Sequence, residues 1–116
     1  MIRIERVYGH TSGNGKHFLV ERLWPRGIKK ESLKMDAWLK DVAPSPALRK
    51  WFSHDPAKWK EFQQRYRAEL RQNPAVESLR QLLKEKRTVT FVYAARDEEH
   101  NSAVVLKAFL EKTSRP

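Results

Sequence analysis

The sequence predicts a small layered α/β domain, with three or four mostly parallel strands and helices on both faces. Three observations carry this expectation. Thr88–Ala95 (Thr-Val-Thr-Phe-Val-Tyr-Ala-Ala) is β-branched, aromatic and apolar on both faces, the composition of a central buried strand. Ser45-Pro46, Asp55-Pro56 and Asn73-Pro74 each set a good N-cap before a proline at the first helical position. Strand-like and helix-like segments alternate along 116 residues, a length that suits one domain spanning residues 1–116 and one core.

Taken in order, Ile2 to Tyr8 alternates apolar and charged residues and reads as a half-exposed strand. Residues 9–16 are turn chemistry, rich in glycine and asparagine. They are too few for a crossover helix, so the first two strands are expected to be antiparallel neighbours. His17 to Leu23, holding Phe18-Leu19-Val20, reads as the second strand. Ala37 to Val42 fits either a short strand or a helical turn, and strand is preferred. The middle of the chain, Pro46 to Arg87, reads as mostly helical. Its second helix carries the stripe Trp59, Phe62, Tyr66 and Leu70; its third groups Val76, Leu79, Leu82 and Leu83. The last helix is expected to start near Asp97-Glu98-Glu99, where acids suit the helix dipole, with Asp97 as N-cap. Ala103, Val104, Val105, Leu106, Phe109 and Leu110 give it a broad apolar face.

Composition narrows the function classes. The chain has no cysteine, which removes disulfides, thiolate metal sites and a cysteine nucleophile. No apolar run approaches the ~20 residues of a membrane span, and Met1–Arg6 lacks the apolar block of a signal peptide. A cytoplasmic location without membrane contact is expected. Lys and Arg number 24 against 14 Asp and Glu, a net charge of +10 that attracts anionic metabolites or nucleic acid.

In open α/β sheets ligands bind beyond the carboxyl ends of the strands. Three unusual segments fall there: Glu21-Arg22-Leu23-Trp24-Pro25-Arg26-Gly27, residues 43–54, and residues 95–101. Each carries arginine. These motifs, extended through Leu48-Arg49-Lys50-Trp51-Phe52-Ser53-His54-Asp55-Pro56 and Tyr93-Ala94-Ala95-Arg96-Asp97-Glu98-Glu99-His100-Asn101, resemble the YeaO-like group of the domain-of-unknown-function 488 family. The resemblance covers essentially the whole chain, with the motifs in order. It implies a small α/β domain and assigns no reaction. The chain departs from the group in having Glu21 where aspartate is usual, and Ser102 where a bulkier residue is expected. It also lacks the cysteines that more distant relatives carry near the last motif.

Arg22, Arg26, Arg49 and Arg96 are candidates for gripping a phosphate or carboxylate with guanidinium forks; the alternative is ion pairing with Glu21, Asp41, Asp97 or Glu98. Trp24 is a candidate wall for the ligand, or else packs; Trp51, Trp38 and Trp59 are read as packing residues. Asn101 joins the ligand-binding set. His54, Asp97 and His100 are the proton-transfer candidates, with Asp97 and His100 preferred if a nucleotide or base is hydrolysed or transferred. Ser45 is an N-cap, since no glycine-flanked elbow presents it as a nucleophile. His10, His17, His54 and His100 have no metal-ligand spacing, and Gly13-Asn14-Gly15-Lys16 lacks the spacing of a phosphate loop. The leading reading is an anionic, nucleotide-like or phosphorylated small molecule bound at an Arg/Trp-lined pocket. The alternative is a non-enzymatic nucleic-acid-binding accessory protein using Lys58, Lys60, Arg65, Arg67 and Arg71.

Overall fold

The computed structural model of the chain describes residues 2–8, 15–33, 35–85 and 88–113. Most of the turn expected over residues 9–16, together with His10 and Arg87, lies outside the described residues. Four strands form one sheet: β1 (Ile2–Arg6), β2 (Lys16–Leu19), β3 (Ala37–Trp38) and β4 (Val89–Tyr93). Their order is β1-β4-β2-β3 and every pairing is parallel. β4 lies inside the sheet, paired from Ile2↔Val89 to Arg6↔Tyr93 on one side and from Lys16↔Val89 to Leu19↔Val92 on the other. All five of its residues are buried, as a run apolar on both faces requires.

The expected antiparallel pairing of the first two strands is therefore wrong: β1 and β2 run parallel, with β4 between them. A helix is not needed for the return. The connection between β1 and β2 can span roughly 30 Å at ~3.3 Å per residue, ample to run back along a five-residue strand of ~17 Å. β2 is also shorter than expected, although Val20 still donates to Val92 O (3.1 Å) just past its end. Strand and helical turn both occur over the ambiguous third segment, β3 giving way to a 3-10 turn at Lys40–Val42.

The four helices are α1 (Pro46–Phe52), α2 (Trp59–Arg71), α3 (Pro74–Glu85) and α4 (Ser102–Thr113). Ser45 caps α1 through Leu48 N–H (3.2 Å), Asp55 caps a 3-10 turn leading into α2, and Asn73 caps α3 through Ala75 N–H. Cap-plus-proline thus worked at all three starts. α4 differs. Its cap is Asn101, whose Oδ1 accepts Val104 N–H (3.1 Å), four residues later than expected. Asp97 instead closes a separate turn by accepting Glu99 and His100 N–H (2.9 Å each).

The period of two in the strands separates the two sides of the sheet. Ile2, Ile4, Phe18, Val89 and Phe91 pack with the buried faces of all four helices, including Phe62, Tyr66, Leu79, Leu106 and Leu110. Leu19 and Val92 point to the other side, where Val7, Leu33, Trp24, Ile28 and Trp38 cover them. The α/β class stands, but the layers are unequal. α-Helices gather on one face, and the face expected to carry more of them carries the loop after β2 with a 3-10 turn at Lys30–Ser32. Among the described residues no helix is long and apolar enough to cross a membrane.

Candidate functional site

The carboxyl ends of β2 and β4 lie side by side, and the segments that leave them enclose a cavity of about 290 Å³. Its lining draws on all three motif segments: Glu21 to Arg26 after β2, residues 43–54 around α1, and Ala94 to Ser102 after β4. Phe62 of α2 and Tyr8 complete it.

Of the candidate ligand residues, Arg22, Trp24, Arg26, Arg49 and Asn101 line this cavity. They do different work. Arg22 donates to Ala43 O (2.9 Å) and Pro44 O (3.3 Å), which ties the loop after β2 to the entry of α1. Trp24 donates to Ile28 O (2.6 Å) and meets Trp38 edge-on at 5.4 Å, so it packs and walls the cavity at once. The turn below it needs Gly27, whose φ of +81° suits glycine. Arg26 and Arg49 are exposed, and neither side chain makes a hydrogen bond or ion pair with a described residue. Asn101 is 3% exposed, with Oδ1 capping α4 and Nδ2 donating to Asp97 O (2.9 Å). Both ends of its amide are occupied, so its place is structural. Arg96 is exposed and stands off the cavity lining, so this arginine does not join the others.

His100 lines the cavity and Asp97 stands behind it. Nδ1 lies 2.8 Å from Asp97 Oδ2, and the ring meets Trp59 edge-on at 5.1 Å. The Glu99 amide first, then the His100 amide and ring, hold the Asp97 carboxyl below the usual carboxylate range. An imidazole bonded to a carboxylate at Nδ1 has its tautomer and orientation fixed, leaving Nε2 for other partners. His54 also lines the cavity. It follows Ser53, and both have left-handed backbone (φ 56° and 46°), uncommon for consecutive residues other than glycine. That sharp exit from α1 is what swings His54 to the site.

Glu21, read from sequence as an ion-pair partner or a departure from the group pattern, has the most unusual setting. Its Oε1 accepts the Ala94 N–H (3.0 Å) at the end of β4, while its carbonyl accepts the Trp38 indole N–H (2.7 Å). No described residue bonds to its second carboxylate oxygen. Burial pushes its carboxyl above the usual range, against the Ala94 amide and the charges of Arg49 and His54. Glu21 and Arg49 thus interact across the cavity without forming an ion pair. An acid next to Arg22 in sequence gives no hint of this, because desolvation comes from the tertiary packing.

Residues 1–115 match the family model described as the inactive DUF488-N3 subclade. The chain belongs to the DUF488 family. It is 40% identical over 110 residues to the uncharacterized protein Rv3073c of Mycobacterium tuberculosis, covering 94% of this chain and 92% of that one. It is 37% identical over 110 residues to the uncharacterized protein YeaO of Escherichia coli K12, covering 94% and 96%. No solved structure gives a significant match. The YeaO-like resemblance read from the three motifs is thereby established for this DUF488 chain, and those motifs are the segments that surround its cavity.

Away from the cavity, two of the cations considered for nucleic acid are engaged locally. Lys58 donates to Trp51 O (2.9 Å), and Arg65 pairs with Glu61 while lying 4.4 Å over the Trp51 ring. Trp51 is therefore a half-buried platform for its own neighbours.

Proposed function

We propose that this DUF488 chain binds a small anionic ligand, nucleotide-like or phosphorylated, in the cavity beyond β2 and β4. The observation that carries the reading is the convergence of three segments, distant in sequence, on one concavity with Arg22, Arg26 and Arg49 in its wall. Its position matches the strand-end rule for α/β sheets. Its volume of about 290 Å³ is at the small end of the ~300–1,000 Å³ common for ligand pockets, suited to a metabolite and not to a polymer. Arg22 is already oriented by carbonyls, so it presents a fixed charge; Arg26 and Arg49 have guanidinium groups unengaged by described residues. The family model's description as an inactive subclade supports binding without turnover, with the Asp97–His100 pair serving as an oriented hydrogen-bonding wall.

Thermal shift with inorganic phosphate and nucleoside monophosphates tests this. A ligand at 100 times its Kd adds about 2.7 kcal/mol of apparent stability. The double variant Arg26→Ala/Arg49→Ala should lose most of the response, since charge-assisted hydrogen bonds contribute about 1.5–3 kcal/mol each. Arg96→Ala, off the lining, should respond as the wild type does. A double variant that responds fully to every wild-type ligand overturns the reading.

A further inference from the structure

The cavity carries charge of both signs: Glu21 and Arg22 are half-buried in its wall, and two further arginines are exposed. Arg26 and Arg49 are exposed at its mouth, whereas Glu21 is drawn in between the ends of β2 and β4. One oxygen of Glu21 satisfies Ala94 N–H. A glutamine would do that equally well, because an amide oxygen accepts as a carboxylate does. The negative charge is therefore not required by the scaffold, and a partly desolvated carboxylate with an unclaimed oxygen is costly to keep. Trp24, Phe52 and Phe62 line the same cavity as that oxygen, with Pro25 beside them, and the Arg49 and His54 charges reach the carboxyl as well. Aromatic walls next to a hydrogen-bond acceptor suit a planar ring that donates from its edge.

We infer that the ligand is two-ended: its anionic group meets Arg26 and Arg49 at the mouth, and a planar heterocycle donates an amino or imino N–H to the second carboxylate oxygen of Glu21. The inference rests on the anion-binding reading above and narrows it, making Glu21 the residue that distinguishes a base-bearing phosphate from a plain sugar phosphate. Glu21 is a specificity residue in this account. Its side chain acts at one end of the ligand, and those of Arg26 and Arg49 at the other.

Isothermal titration calorimetry with adenosine, guanosine and cytidine monophosphates, and with ribose phosphate, tests it in wild type and Glu21→Gln. In wild type at least one nucleoside monophosphate should bind about tenfold or more tighter than ribose phosphate, the scale of one charge-assisted hydrogen bond. Glu21→Gln should bring that ratio close to one, since the loss of a negative charge near Arg49 acts on all four anions alike and cancels in the ratio. A thermal melt of the variant at wild-type temperature or above shows that folding is not the cause. If ribose phosphate binds wild type as tightly as every nucleoside monophosphate, or if Glu21→Gln keeps the ratio, Glu21 is not the discriminator, although anion binding stands. If none of the four binds, the anion reading falls and this inference falls with it.

Discussion

Asn101 separates a structural from a ligand-contacting role more sharply than any other residue of the site. It lines the cavity, yet it is 3% exposed and both ends of its amide bond to the backbone. Asn101→Ala removes the cap of α4, which costs about 1 kcal/mol. It also removes the Nδ2 bond to Asp97 O, worth about another 1 kcal/mol. For 116 residues the unfolding entropy is about 0.24 kcal/mol/K, so a loss of ~2 kcal/mol lowers Tm by about 8 °C. Asn101→Asp keeps the cap and places a negative charge at the helix N-terminus, but cannot donate to Asp97 O. It should fall between the wild type and the alanine variant. The assay is a thermal melt confirmed by urea unfolding with an unchanged m-value. An alanine variant that melts within about 1 °C of wild type would refute this assignment. If that variant also lost ligand response, Asn101 would be a direct contact and not a cap.

Two more expectations concern the cavity walls. Burial raises the Glu21 carboxyl above its usual range, so the stability tied to this group is complete below the unfolded-state pKa and is lost as pH rises through the folded-state value. Glu21→Gln should therefore be more stable than wild type at neutral pH, with the gap closing as pH falls through the carboxylate range; a gap independent of pH in thermal melts contradicts it. Tyr66 is fully buried and its hydroxyl donates to Val42 O (2.5 Å), next to the Ala43-Pro44 carbonyls that hold Arg22. Tyr66→Phe orphans that buried carbonyl and should cost about 1–3 kcal/mol in urea unfolding; a cost below about 0.5 kcal/mol means the carbonyl finds another partner.

What could be read from the sequence follows the range of the interaction involved. Ser45, Asp55 and Asn73 cap within three residues of themselves, so their role was visible without knowing the fold. β4 was visible because a strand buried on both faces must be apolar on both. The strand-end rule then pointed to residues 21–27, 43–54 and 95–101, and members of each line one cavity. It failed on which side chains point inward. Arg96 and His100 leave the same strand end, yet only His100 lines the cavity, because the Asx turn at Asp97 reverses the chain between them. The acids at Asp97-Glu98-Glu99 imitated a helix start, and Asn101-Ser102, a quieter cap, was the real one. The β1–β2 relation was unreadable locally, since β4, some seventy positions away, enters between them.

The hydrogen bonds around the cavity also separate the polar groups that hold the walls from those left open. Arg6 Nε donates to Ala95 O (3.0 Å), Tyr8 Oη to Arg26 O (2.8 Å), Arg22 to Ala43 O, Trp24 to Ile28 O and Trp38 to Glu21 O. Each of these long side chains ends on a backbone carbonyl of a loop, so the loops are tied down by their neighbours and the cavity is preformed. Preformed walls lower the ordering cost of binding. Among the described residues, Arg26, Arg49, His54 and the outer oxygen of Glu21 do none of this tying, and Nε2 of His100 is likewise left open. On the proposed reading, these are the groups that a small, two-ended ligand would meet, and their loss should weaken binding without loosening the walls.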